Sequence, residues 1–106
     1  MSVKQITAQD ELKSILEQDE ALLLKHSLTC PISGDAKTQF EKFTSQTDLP
    51  AYIIHIQENR DLSNLVADHF DIKHESPQAF YIKNGEVKFH ASHFDITTKK
   101  LEEVTQ

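Results

Sequence analysis

Two short apolar runs, Ala21-Leu22-Leu23-Leu24 and Ala51-Tyr52-Ile53-Ile54-His55-Ile56, do most to limit what this chain can become. The first is too short and too continuous for an amphipathic helix, and reads as a strand buried on both faces. The second is β-branched and aromatic, the composition of a second buried strand. Between them Ile32, Ala36, Phe40 and Phe43 recur at spacings of four, four and three, which is the apolar stripe of a helix. Strand, helix, strand with both strands buried is the unit from which parallel sheets are built.

The remaining segments extend that unit. Thr7, followed by Asp10, offers a capping side chain and an acid near the positive end of a helix, and Leu12, Ile15 and Leu16 then share one face. Asp61 is placed to cap a helix carrying Leu62, Leu65, Val66 and Phe70. Asn84-Gly85 stands between two alternating apolar runs, Phe80 to Lys83 and Glu86 to Phe89, a strong hairpin signal because both residues tolerate the positive φ of a type I′ turn. Thr97 or Thr98 opens a last helix with Leu101 and Val104. The spacing thus predicts strands near 21–26, 51–56, 79–83 and 86–90 and helices near 8–18, 31–46, 61–70 and 97–104, with an edge strand in the first few residues. One α/β domain over 1–106 follows: a central mixed sheet flanked by helices on both faces.

Composition removes several function classes. A chain of 106 residues buries roughly two thirds of its unfolded surface, enough for a core without disulfides or metal. Its net charge of −6 argues against nucleic acid, which demands clustered Lys and Arg. A single cysteine excludes an internal disulfide and a Cys-rich zinc site. The opening residues meet Asp10 and Glu11 too soon for a signal peptide, and no segment approaches a membrane span, so a reducing cytoplasm is the expected compartment.

The chemistry centres on Thr29-Cys30-Pro31-Ile32-Ser33, where the first strand turns into a helix. Pro31 fits the first helical position, where its missing N–H is not needed. Cys30 then lies near the N-cap, and a thiolate there can accept from the free amides of Ile32 and Ser33 with help from the helix dipole. Both effects lower the thiol pKa. The competing reading is a buried, inert cysteine. Ser33 is three residues on, where a dithiol oxidoreductase carries its second cysteine, so any redox cycle here must borrow a second sulfur from another molecule. Ser33 is either a first-turn serine or a hydrogen-bond donor to the Cys30 sulfur; Thr29 is either a junction polar residue or a donor to sulfur or ligand. His26, four residues before Cys30, offers only weak electrostatic help. His90 and His93, and His69 and His74, lack the converging ligands that zinc needs, so no metal site is expected. Lys25, Lys37 and Lys73 are the candidate cations near the thiol or the Pro77 loop, with a solvated surface lysine the weightier reading of each taken alone.

Element order, a cysteine at a strand-to-helix junction and Ser76-Pro77 before the hairpin together resemble the thioredoxin fold over nearly the whole chain. The five-residue motif, with His74-Glu75-Ser76-Pro77-Gln78 downstream, resembles the monothiol bacilliredoxins, bacterial proteins with a Thr-Cys-Pro-Ile-Ser active site. That resemblance implies a thiol–disulfide oxidoreductase of redox homeostasis, with Cys30 as nucleophile and bacillithiol as co-substrate rather than a bound cofactor. It further implies S-bacillithiolated proteins as partners, a monomer, a cis Ser76–Pro77 bond facing the cysteine, and Ser76 as main-chain partner of the ligand. Two alternatives stay open at this level. One is a monothiol glutaredoxin-like carrier of an iron–sulfur cluster, although such relatives usually carry Cys-Gly-Phe-Ser, from which Pro31 and Ile32 depart. The other is a non-catalytic thioredoxin-like interaction module.

Overall fold

The computed structural model describes residues 3–29 and 31–105. Ten elements follow one another: β1 (Lys4–Gln5), α1 (Gln9–Leu16), β2 (Glu20–His26), α2 (Pro31–Thr44), β3 (Ala51–His55), α3 (Arg60–Phe70), β4 (Gln78–Lys83), β5 (Glu86–Ser92), a 3₁₀ turn (His93–Asp95) and α4 (Thr98–Val104). The five strands form one sheet in the order β1-β3-β2-β4-β5. β3 runs parallel to both β1 and β2, whereas β4 is antiparallel to β2 and to β5. The edge strand expected at the start of the chain is present as β1. No helix among the described residues is long and apolar enough to cross a membrane.

The period of two along β2 explains why its apolar run is continuous. Ala21 and Leu23 point into a layer with Leu12 and Ile15 of α1 and Leu62 and Val66 of α3. Leu22 and Leu24 point the other way, against Ala36, Phe40 and Phe43 of α2 and Leu101 of α4. Both sheet faces are therefore covered, and the central strand has no polar side to show. Each fully buried Leu or Phe contributes about 1.5–3 kcal/mol of apolar burial, so α2 is held to the sheet chiefly by Phe40 and Phe43.

The hairpin follows its sequence signal. Asn84 and Gly85 have φ of 55° and 80°, and Lys83 pairs with Glu86 across them. Thr97 caps α4 by accepting from the Lys100 N–H at 3.1 Å. Two expected caps are corrected. The N-cap of α1 is Ala8, not Thr7; Glu11 instead reaches back and accepts from the Thr7 N–H at 2.9 Å. That bond holds the Glu11 carboxyl below its ordinary pKa. In α3 Arg60 comes first and Asp61 lies inside the first turn, so its charge meets the positive helix end without capping it. α2 stops at Thr44, short of the expected 46, and β5 runs on to Ser92 before the 3₁₀ turn that the sequence pattern did not announce.

Candidate functional site

The alternation that buries β2 also decides what its last residues do. His26 follows Leu22 and Leu24 toward α2, and its Nδ1 lies 3.1 Å from Ser33 Oγ. The same oxygen accepts from the Ser27 N–H at 2.8 Å, and Ser33 is fully buried. Burial, followed by the nearby Lys37 and His55, lowers the His26 pKa and favours the neutral imidazole. With the Ser33 oxygen already accepting from Ser27, assigning its proton to His26 Nδ1 satisfies all three groups. Ser33 is thus more than a first-turn serine: it ties the first turn of α2 to the end of β2. Whether it also meets the Cys30 sulfur lies outside the described residues, as do the position and exposure of Cys30 itself. The position can be located only by its neighbours, Thr29 before it and Pro31, the first residue of α2, after it.

Sequence reasoning missed Gln57, which follows β3. Its Nε2 donates to Ser27 Oγ at 2.7 Å and to Thr29 Oγ1 at 3.2 Å, and its Oε1 accepts from the Leu28 N–H at 3.0 Å. One exposed glutamine therefore holds all three residues leading to Cys30. No local pattern marks it, because a glutamine after a strand looks like any turn residue. Only the parallel pairing of β2 with β3, which sets His26 beside His55, brings it there. Thr29, whose role the sequence left open, uses its hydroxyl oxygen as an acceptor from Gln57.

A second loop reaches the same end of the sheet. The Ser76–Pro77 bond is cis, as expected, and Pro77 is buried with its carbonyl accepting from the His93 N–H at 3.1 Å. Lys25 pairs with Gln78, so one step further the antiparallel register sets Pro77 opposite His26. Gln78 laces the loop from inside: its Oε1 accepts from the Glu75 N–H at 3.3 Å and its Nε2 donates to the Lys73 carbonyl at 3.0 Å. Ser76 Oγ is buried without a hydrogen-bond partner among the described residues.

The three expected cations are spread apart. Lys25 follows Ala21 and Leu23 to the α1/α3 face, is fully buried, and sets Nζ 3.1 Å from His74 Nδ1 and 5.8 Å from the centre of the Phe80 ring. Burial pulls its pKa down to about 8. Lys37 is half-buried on the His26 side, and Lys73 is exposed. Ile32 shares a cavity of about 220 Å³ with Ala36, Phe94 and Ile96. Phe94 is 73% exposed and Leu28 is 49% exposed, so apolar surface lies both in that cavity's wall and in the segment before Cys30. Of the paired histidines, His69 packs edge-on against Phe70, and His74 faces Lys25. No three metal-ligating side chains converge among the described residues.

Comparison with known proteins places this geometry. The family model described as "Monothiol bacilliredoxin BrxC" matches residues 4–101. A solved structure provisionally described as an oxidoreductase with a thioredoxin fold is 38% identical, with a TM-score of 0.94 over 98% of this chain and 94% of that one. A thioredoxin from Malassezia sympodialis superposes with a TM-score of 0.78 at 21% identity, over 99% of this chain and 90% of that one. One from Trypanosoma brucei brucei gives the same TM-score at 12% identity, over 98% and 91%. The last two are alike in fold alone.

Proposed function

The chain belongs to the monothiol bacilliredoxin family and has its redox role, and from that premise we propose that it removes bacillithiol from protein mixed disulfides through Cys30. The observation that supports this most is the start of the 14-residue helix α2 at Pro31, the residue that follows Cys30 in the chain, because a thiol at a helix start meets free amides and the positive end of the dipole. In this reading the thiol titrates below the roughly 8.5 of a free cysteine and is partly thiolate at neutral pH.

The Cys30 thiolate attacks the bacillithiol sulfur of a protein–bacillithiol disulfide. A Cys30–bacillithiol disulfide forms, and the client's sulfur leaves as a thiolate and takes up a proton. The thiolate of a second bacillithiol then attacks the bacillithiol sulfur of the adduct, which frees Cys30 and yields bacillithiol disulfide. External thiol is required because residue 33 is a serine, and its hydroxyl is committed to Ser27 and His26. Ser76, on the loop opposite His26, offers its main chain to the extended part of the ligand. Leu28 and Phe94 supply apolar surface for a client protein. The protein works without a bound cofactor, in a reducing cytoplasm, as a monomer.

The test is removal of bacillithiol from a modified client protein, read by the client's intact mass. Wild type with bacillithiol should restore the client thiol, and Cys30→Ser should leave it fully modified. Activity persisting in Cys30→Ser would mean that another group is the nucleophile.

A further inference from the structure

Lys25 is the one fully buried ammonium among the described residues, and it makes no ion pair with a carboxylate there. Burying an ammonium ion costs several kcal/mol unless an opposite charge compensates it. Its polar partner is instead His74 Nδ1, which must accept the Lys25 proton. The His74 proton is therefore on Nε2, and His74 is a donor toward its surroundings. Around His74 the side chains are again donors or cations. Arg60, at the start of α3, acts on it electrostatically together with Lys25, while Glu75 is the one carboxylate that opposes them. Arg60, Ser63, Asn64 and His74, with Ile56, line a small cavity of about 100 Å³. Ser63 Oγ lies 3.4 Å from His74 Nδ1. Arg60, like Lys25, has no carboxylate partner among the described residues.

One cation, an imidazole, a hydroxyl and an amide thus line a hollow that holds only a few atoms, and a second cation, Lys25, stands behind the imidazole. We propose that this cavity is a carboxylate-binding site, formed by Arg60, Ser63, Asn64 and His74 over Lys25, and that it holds a carboxylate of the thiol delivered to Cys30. Its place in the fold favours that occupant. His74 is two residues before Ser76 in the cis-proline loop, and Ile56 is next to Gln57, which holds Leu28 and Thr29. The cavity therefore borders both loops that lead to the thiol position. A carboxylate here supplies the opposite charge that Lys25 and Arg60 lack, so the site discriminates a dicarboxylate thiol such as bacillithiol from an uncharged one.

The assignment of the occupant rests on the proposed function, so the experiment reads the two separately. Full-length protein is titrated with L-malate and followed by amide NMR. Shifts at Ser63, Asn64 and His74 are expected, with apparent affinity weakened tenfold or more in Arg60→Gln and in Lys25→Met. Lys25→Met replaces a buried charge by an apolar chain of similar length, and Arg60→Gln alters an exposed residue, so both variants should fold. Absence of shifts at these amides, or wild-type affinity in both variants, overturns the site. In parallel, wild type is mixed with oxidised bacillithiol and weighed. An adduct on Cys30 without a malate response overturns the cavity and leaves the redox reading standing. A malate response without an adduct overturns the thiol as occupant, and the proposed function with it.

Discussion

Two loops meet at the end of β2, and they differ in how completely their polar groups are satisfied. The loop before α2 is closed: Ser27 N–H, Ser33 Oγ and His26 form one buried network, and Gln57 binds Ser27, Leu28 and Thr29 from β3's side. The cis-proline loop is laced by Gln78, yet beneath and within it lie Lys25 without a counter-charge and Ser76 Oγ without a partner, among the described residues. Buried polar groups in folded proteins are nearly always satisfied, so each exception calls for an explanation. The first loop therefore holds residues 27–29, the segment leading to Cys30, through contacts that are already complete. The second leaves open the groups that the proposed carboxylate would meet.

The largest change should come from removing the uncompensated charge. Lys25→Met should stabilise the ligand-free protein by about 1–4 kcal/mol, the scale of the gain when buried ion pairs give way to apolar side chains. The gain should depend on pH with a definite sign. Lys25 titrates near 8 in the folded protein against 10.5 for an ordinary lysine. Between those values the unfolded chain holds the extra proton, so wild-type stability rises with pH. The advantage of the variant is full below about pH 8 and shrinks toward pH 10.5. Urea denaturation at pH 7 and pH 10 measures it, and an equal advantage at both would contradict a buried ammonium.

Gln57→Ala attacks the satisfied loop and should cost less. Three hydrogen bonds are lost, each with a net value near 1 kcal/mol, and exposure of the glutamine to water reduces their sum to about 1–2 kcal/mol of stability. Thiol exchange should slow about tenfold, because the segment before Cys30 loses the group that orients it. A rate unchanged within twofold would show that the Ser33 network alone fixes the loop.

How much of this was legible in the sequence follows from the range of the interactions. Period and turn chemistry are local, so β2, β3, the Asn84-Gly85 hairpin and the Thr97 cap could be read directly. Thr7 and Asp61 misled because capping is decided by one residue's φ and ψ: Thr7 sits one position before the N-cap Ala8, and Asp61 two positions after the N-cap Asn59. The motif at Cys30 and the Ser76-Pro77 bond were likewise visible. What was hidden depends on strand order. Gln57 reaches residues 27–29 only because β3 lies beside β2, and Lys25 is buried only because β2 is central, with β4 on its other side. His26 looked remote from the motif along the chain, yet the turn into α2 folds Ser33 back onto it.

The central claim is that Cys30 exchanges with bacillithiol and has no internal sulfur to resolve the product. Its most direct measurement is the intact mass of wild type and Ser33→Cys after mixing with oxidised bacillithiol. Wild type should hold a single adduct on Cys30 until free bacillithiol is added. In the variant the new thiol stands one helical turn away, at an effective concentration far above any free thiol, and should expel the adduct and leave an internal disulfide. A wild-type protein that takes up no bacillithiol on Cys30, or that sheds it without added thiol, would contradict the account.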